Sequence, residues 1–87
     1  MKQLKKGMYA RSLAGHDVGR LYIIMDADTR YVYLTDGRLR PLEKLKKKKI
    51  KHVQVDTCIS EILRDRMEQQ LPIRDEDIRK AIKVKEV

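Results

Sequence analysis

A chain of 87 residues suffices for one domain around one small core, and with no Trp or Phe and only four Tyr, that core falls to Ile, Leu, Val, Met and Ala side chains. The balance of 21 Lys and Arg against 13 Asp and Glu gives a formal charge of +8 and points to a polyanionic partner. A lone cysteine, Cys58, excludes an internal disulfide, and the lack of any apolar run long enough for a signal sequence or membrane span predicts a cytoplasmic protein.

The charge is unevenly spread. Residues 1–55 carry 14 basic and 5 acidic side chains, whereas residues 56–87 carry 7 and 8. The first segment is therefore expected to be the contact surface and the second ordinary protein surface. Gly7 to Leu13 reads as a short strand, and Ala14 to Gly19 as a connecting loop. From Arg20 to Met25 a second strand places Leu21, Ile23 and Met25 on one face and Tyr22 and Ile24 on the other. Asp26 to Thr29 turns the chain, and Arg30 to Thr35 alternates again, with Val32 and Leu34 the expected core pair.

Asp36-Gly37 signals a two-residue hairpin turn, so a fourth strand is expected over Arg38 to Arg40. Pro41 ends regular pairing, the lysine run that follows reads as a solvated loop, and Ile50 to Val55 reads as a fifth strand. The period then changes. Ile59, Ile62, Leu63, Met67 and Leu71 share a helical face, which predicts a helix from about Cys58 to Leu71 with Asp56 or Thr57 at its start. Beyond Pro72, the order of Asp75, Glu76 and Asp77 before Arg79, Lys80, Lys83 and Lys85 suits a second short helix and its dipole.

Little in the sequence supports catalysis. The loop Gly15-His16-Asp17-Val18-Gly19 lacks the Lys-Ser/Thr and the following helix of a nucleotide-binding loop. His16, His52 and Cys58 stand alone, without partners at metal-ligand spacing, and Asp26 and Asp28 are explained by the turn they occupy. No enzyme activity, cofactor, metal or small-molecule substrate is expected. By contrast, Lys44, Lys46, Lys47, Lys48, Lys49 and Lys51 are suited to phosphate contacts, and Arg11, Arg20, Arg30, Arg38 and Arg40 come from the same segment. Neutralising roughly six phosphates would give a log–log salt slope of about −5 on a duplex. The tyrosines are expected to pack rather than stack on bases, and the apolar stripe of the first helix to cover an open end of a barrel rather than a partner.

The stretch Ser12 to Arg20 (SLAGHDVGR), followed by apolar strand residues, resembles the KOW motif. The continuation from Thr35 through Asp36-Gly37-Arg38-Leu39-Arg40-Pro41-Leu42-Glu43 into the lysine run extends that likeness over roughly residues 5–55. The chain is similar to small bacterial KOW-domain proteins and to the archaeal and eukaryotic large-subunit ribosomal proteins of the "fourteen-e" type, and more distantly to the KOW domain of the transcription factor NusG. The resemblance implies an SH3-like barrel that binds ribosomal or other structured RNA through the motif loop and the basic segment. Gly15 and Gly19 would keep the loop's shape, and Arg20 and the lysines match basic family positions. His16 stands where the family more often has Arg, and Tyr9-Ala10 replaces its usual Val pair.

The expected fold is thus mainly β with α: a small SH3-like (KOW) β-barrel of about five strands over residues 1–55, then one or two C-terminal helices over 56–87 packing on or near it. The expected function is RNA binding within the translation machinery through Arg11, His16, Arg20, Arg38, Arg40, Lys44, Lys46, Lys47, Lys48, Lys49 and Lys51, with ribosomal RNA and ribosomal proteins as partners and no membrane. The alternative is a protein-interaction module of a transcription or translation factor.

Overall fold

The computed structural model describes residues 3–86. Five antiparallel strands, β1 (Met8–Ser12), β2 (Leu21–Ala27), β3 (Tyr31–Thr35), β4 (Lys46–Lys49) and β5 (Val53–Ile59), form one sheet in the order β4-β3-β2-β1-β5. A 3-10 turn (Ile50–His52) joins the last two strands, and the helices α1 (Glu61–Glu68) and α2 (Asp75–Glu86) follow.

Both faces of the sheet are covered over β1 and β2, which is why Leu21 to Ile24 form an unbroken buried run. On the inner face Met8, Ala10, Tyr22, Ile24, Val32, Leu34 and Val53 make one core. On the outer face Tyr9, Leu21 and Ile23 make a second core with Leu63 of α1 and with Ile78 and Ala81 of α2. The predicted division of β2 into Leu21, Ile23 and Met25 against Tyr22 and Ile24 is the division between these cores. Tyr9 fastens the second one, since its hydroxyl donates to the Ala81 carbonyl at 2.9 Å. At the far end of α2, Lys85 pairs with Asp56 of β5, whose carboxyl is drawn down to about 2 by that ammonium and by the Cys58 amide.

Several expectations fail, among them the start of the fifth strand, because Ile50–His52 is a 3-10 turn and pairing begins at Val53. Arg38 to Arg40 is not a strand, and Asp36-Gly37 does not make a two-residue turn. The Asp36 carboxylate instead accepts the amides of Arg38 and Arg40 at 2.8 and 2.9 Å and shapes an irregular loop. The lysine run is itself the fourth strand, paired with β3 from Tyr31↔Lys49 to Leu34↔Lys46. A run of identical side chains has no alternation to reveal a strand, so only its pairing partner could disclose it. The first helix is also shorter than predicted. β5 continues through Asp56, Thr57 and Cys58 to Ile59, so Ser60, not Asp56 or Thr57, stands at the helix start, and the helix ends at Glu68. The two-residue period of Val53-Gln54-Val55 runs on into residues that also fit helical spacing, and pairing with β1 prolongs the strand through them.

Gly37 has the positive φ its turn chemistry suggested, +73°, but for a tertiary reason as well. A Cβ there would stand 2.6 Å from the Asp75 carbonyl oxygen at the start of α2, and Arg79 donates to the Gly37 carbonyl at 2.7 Å. Gly37→Ala therefore combines a strained backbone with a clash against helix backbone, and should cost about 2 kcal/mol in urea unfolding. Unchanged stability would contradict the seating of α2 on this loop.

Candidate nucleic-acid interface

The motif loop between β1 and β2 closes over one end of the inner core. Gly15 and Gly19 both have φ of +88°, and Asp17 between them turns inward and is 8% exposed. Its carboxylate accepts from Ser12 Oγ at 2.8 Å, Tyr22 Oη at 2.7 Å and Lys48 Nζ at 2.7 Å, and pairs with Lys46 Nζ at 2.9 Å. Lys48 also donates to the Ala14 carbonyl at 2.8 Å. Burial alone would raise the Asp17 carboxyl, but the two ammonium groups and two hydroxyls outweigh it and hold it far below the carboxylate range. The same burial, with the Asp17 charge, pushes the Tyr22 phenol up. Asp17 is the residue that reading the sequence for a binding site missed. Its position in the motif loop was visible, but nothing in the spacing reveals that it lies against lysines about thirty residues on.

This cluster divides the lysine run by the two-residue period of a strand. The Lys46 and Lys48 side chains face Asp17 and are 25% and 10% exposed, so Lys48 is a structural cation rather than the phosphate ligand predicted. Lys47 and Lys49 point to the outer face, where α1 and α2 do not reach. Antiparallel partners share a face, so Lys47 lies beside Tyr33 and Lys49 beside Tyr31. The Lys47 ammonium sits 4.2 Å from the Tyr31 ring centroid, a cation–π contact. Tyr33 donates to Asp28 at 3.1 Å, and Asp28 also accepts the amides of Arg30 and Tyr31 at 2.8 Å each. Those donors hold the Asp28 carboxyl low, and Asp28 in turn raises the Tyr33 phenol. Of the tyrosines predicted to pack, Tyr9 and Tyr22 are buried in the cores, whereas Tyr31 and Tyr33 form, with Lys47, Lys49, Arg30 and Lys51, a partly open basic and aromatic face.

The other predicted contacts are divided among the motif loop, a groove along α2 and the loop after β3. His16 and Lys44 are exposed, and Arg11 donates to the Gly19 carbonyl at 2.6 Å, bracing the motif loop. Arg20 approaches Asp36 at 3.7 Å and lines a separate groove with Arg38, against Arg79, Lys80 and Lys83 of α2. Asp36, Glu76 and Glu86 line the same groove and offset its charge. Arg40 is half-buried, with its amide and carbonyl engaged in the loop after β3. The predicted set therefore splits into the outer face of β3 and β4, the motif loop, and the α2 groove with the loop after β3, and Lys46 and Lys48 link the first two through Asp17.

Among the described residues, no group of three or more His, Cys, Asp or Glu side chains could hold a metal ion, and no helix is long and apolar enough to cross a membrane. Neither known family models nor curated proteins contain a match to this chain.

Proposed function

We propose that the protein binds structured RNA of the translation machinery, gripping phosphates with the outward lysines of β4 and with the basic residues at the motif-loop end. The strand order, with a 3-10 turn before the last strand, supports an SH3-like barrel of the KOW kind, as does a motif loop held by two glycines of positive φ. The observation that carries the reading is the division of β4. Lys46 and Lys48 are bound to Asp17 and fix the strand, so that Lys47 and Lys49 stand on a rigid edge beside Arg30 and two tyrosines. Fixed cations beside aromatic rings suit phosphates and the shape of an RNA helix better than base-edge readout in its narrow major groove. Ribosomal RNA in the cytoplasm is the target this reading favours, with no cofactor and no catalytic step.

Co-sedimentation with ribosomal particles in sucrose gradients at low and high salt tests it. Wild-type protein should travel with large subunits, and Lys47→Glu/Lys49→Glu should not. The matched double reversal Lys80→Glu/Lys83→Glu, on α2, should behave as wild type. Wild-type protein that stays at the top of the gradient at both salts overturns the ribosomal assignment.

A second reading, a protein-docking module, is favoured by Leu39 and Val84, which are 71% and 66% exposed on the loop after β3 and on α2. It predicts the reverse pattern, with binding insensitive to Lys47 and Lys49 but abolished by Leu39→Ser.

A further inference from the structure

Beside Tyr31, the turn between β2 and β3 and the 3-10 turn enclose an open groove of about 520 Å³. Thr29, Arg30, Tyr31, Lys49, Ile50 and Lys51 line it. We propose that this groove receives one unpaired nucleotide of the bound RNA, its base against Tyr31 and Ile50 and its flanking phosphates on Arg30, Lys49 and Lys51. The inference rests on the RNA-binding reading and adds a base-stacking subsite to its phosphate contacts.

Four features favour it. The volume lies in the range of small-ligand sites, ~300–1,000 Å³. The lining holds three cations and no carboxylate, whereas the groove along α2 contains Asp36, Glu76 and Glu86, and two others contain Asp56 and Asp28. Tyr31 lines the groove with Ile50, and Lys47, whose ammonium lies 4.2 Å from the Tyr31 ring centroid, is not among the lining residues. Finally, the walls are held before any ligand arrives. The Ile50 amide donates to the Arg30 carbonyl at 2.8 Å, joining the two turns, and Asp28 fixes the Arg30 and Tyr31 amides. A fixed aromatic wall with cations at its rim is what single-stranded recognition needs, because every base offers a π face while phosphates demand charge. Thr29 adds a hydroxyl able to pair with the sugar, where RNA differs from DNA.

The test uses two hairpin RNAs of equal length, one fully paired and one with a single 2-aminopurine bulge, titrated against wild type, Tyr31→Leu and Lys51→Gln. Wild type should bind the bulged hairpin about 10-fold more tightly and quench the 2-aminopurine fluorescence, as stacking on one aromatic side chain implies. Tyr31→Leu should lose the preference and the quenching, so that its affinities for the two hairpins become equal. Lys51→Gln, on an exposed turn, should reduce the preference in part and replaces Tyr31→Leu if that variant does not fold. Equal binding of both hairpins by wild type, with unquenched fluorescence, overturns the subsite and leaves the phosphate contacts standing. Failure to bind either hairpin overturns the RNA reading and the subsite together.

Discussion

Replacing Asp17 with Asn is expected to lower the unfolding free energy by about 3 kcal/mol at neutral pH, because it leaves the Lys48 ammonium buried without its counter-ion. For a chain of 87 residues that corresponds to a fall in Tm of roughly 12–24 °C. The pH dependence has a definite sign. The Asp17 carboxyl is depressed in the folded protein, so its contribution is fully present above the unfolded value of about 4 and is lost progressively as pH falls below it. The wild-type stability curve should therefore drop steeply in acid, and the Asp17→Asn curve should start lower, run flatter and approach it toward pH 2. Calorimetry from pH 7 to pH 2 measures both. Parallel curves for the two proteins would contradict the ionised cluster. Lys48→Gln should cost less, since Asp17 keeps Lys46, Tyr22 and Ser12.

The second large effect concerns RNA affinity and separates neighbours in one run of identical residues. Lys47→Glu/Lys49→Glu should weaken binding to structured RNA on the order of 100-fold at low salt, taking ~1.5 kcal/mol for each lysine–phosphate hydrogen bond removed. The log–log salt slope should shrink by about 1.8 on a duplex, or 0.9 per phosphate. Lys48→Gln should leave both quantities unchanged once the protein is folded, because its ammonium faces Asp17. A competing explanation for the run is that lysines blunt the exposed edge of β4 against pairing with other chains. Glutamate blunts an edge equally well, so that explanation predicts soluble, monomeric variants with unaltered RNA affinity. Filter binding across a salt series, with Lys80→Glu/Lys83→Glu as the charge-matched control, distinguishes the two.

Much of the architecture was legible along the chain. Two-residue alternation marked β2 and β3, although β2 runs on to Ala27; the change to helical spacing announced the first helix and the order of charges the second; and the turn at Asp28 followed from residue types that bond their own backbone. These features are local, and local steric and hydrogen-bonding preferences suffice to produce them. The concentration of basic residues before position 55 is likewise a property of the sequence alone.

What only the tertiary structure decided are relations between residues far apart. The lysine run became a strand because β3 offered it backbone partners and Asp17 offered alternate ammonium groups a buried anion. The same interaction turned Lys46 and Lys48 inward and left Lys47 and Lys49 outward, a distinction that no composition or periodicity contains. Gly37 is needed for the close approach of α2 as much as for its own φ, and Tyr31 and Tyr33 remain on open surface because the two helices cover the sheet over β1 and β2. A charged or aromatic side chain takes its role from what faces it, and that is set by packing of the whole chain rather than by neighbours in sequence.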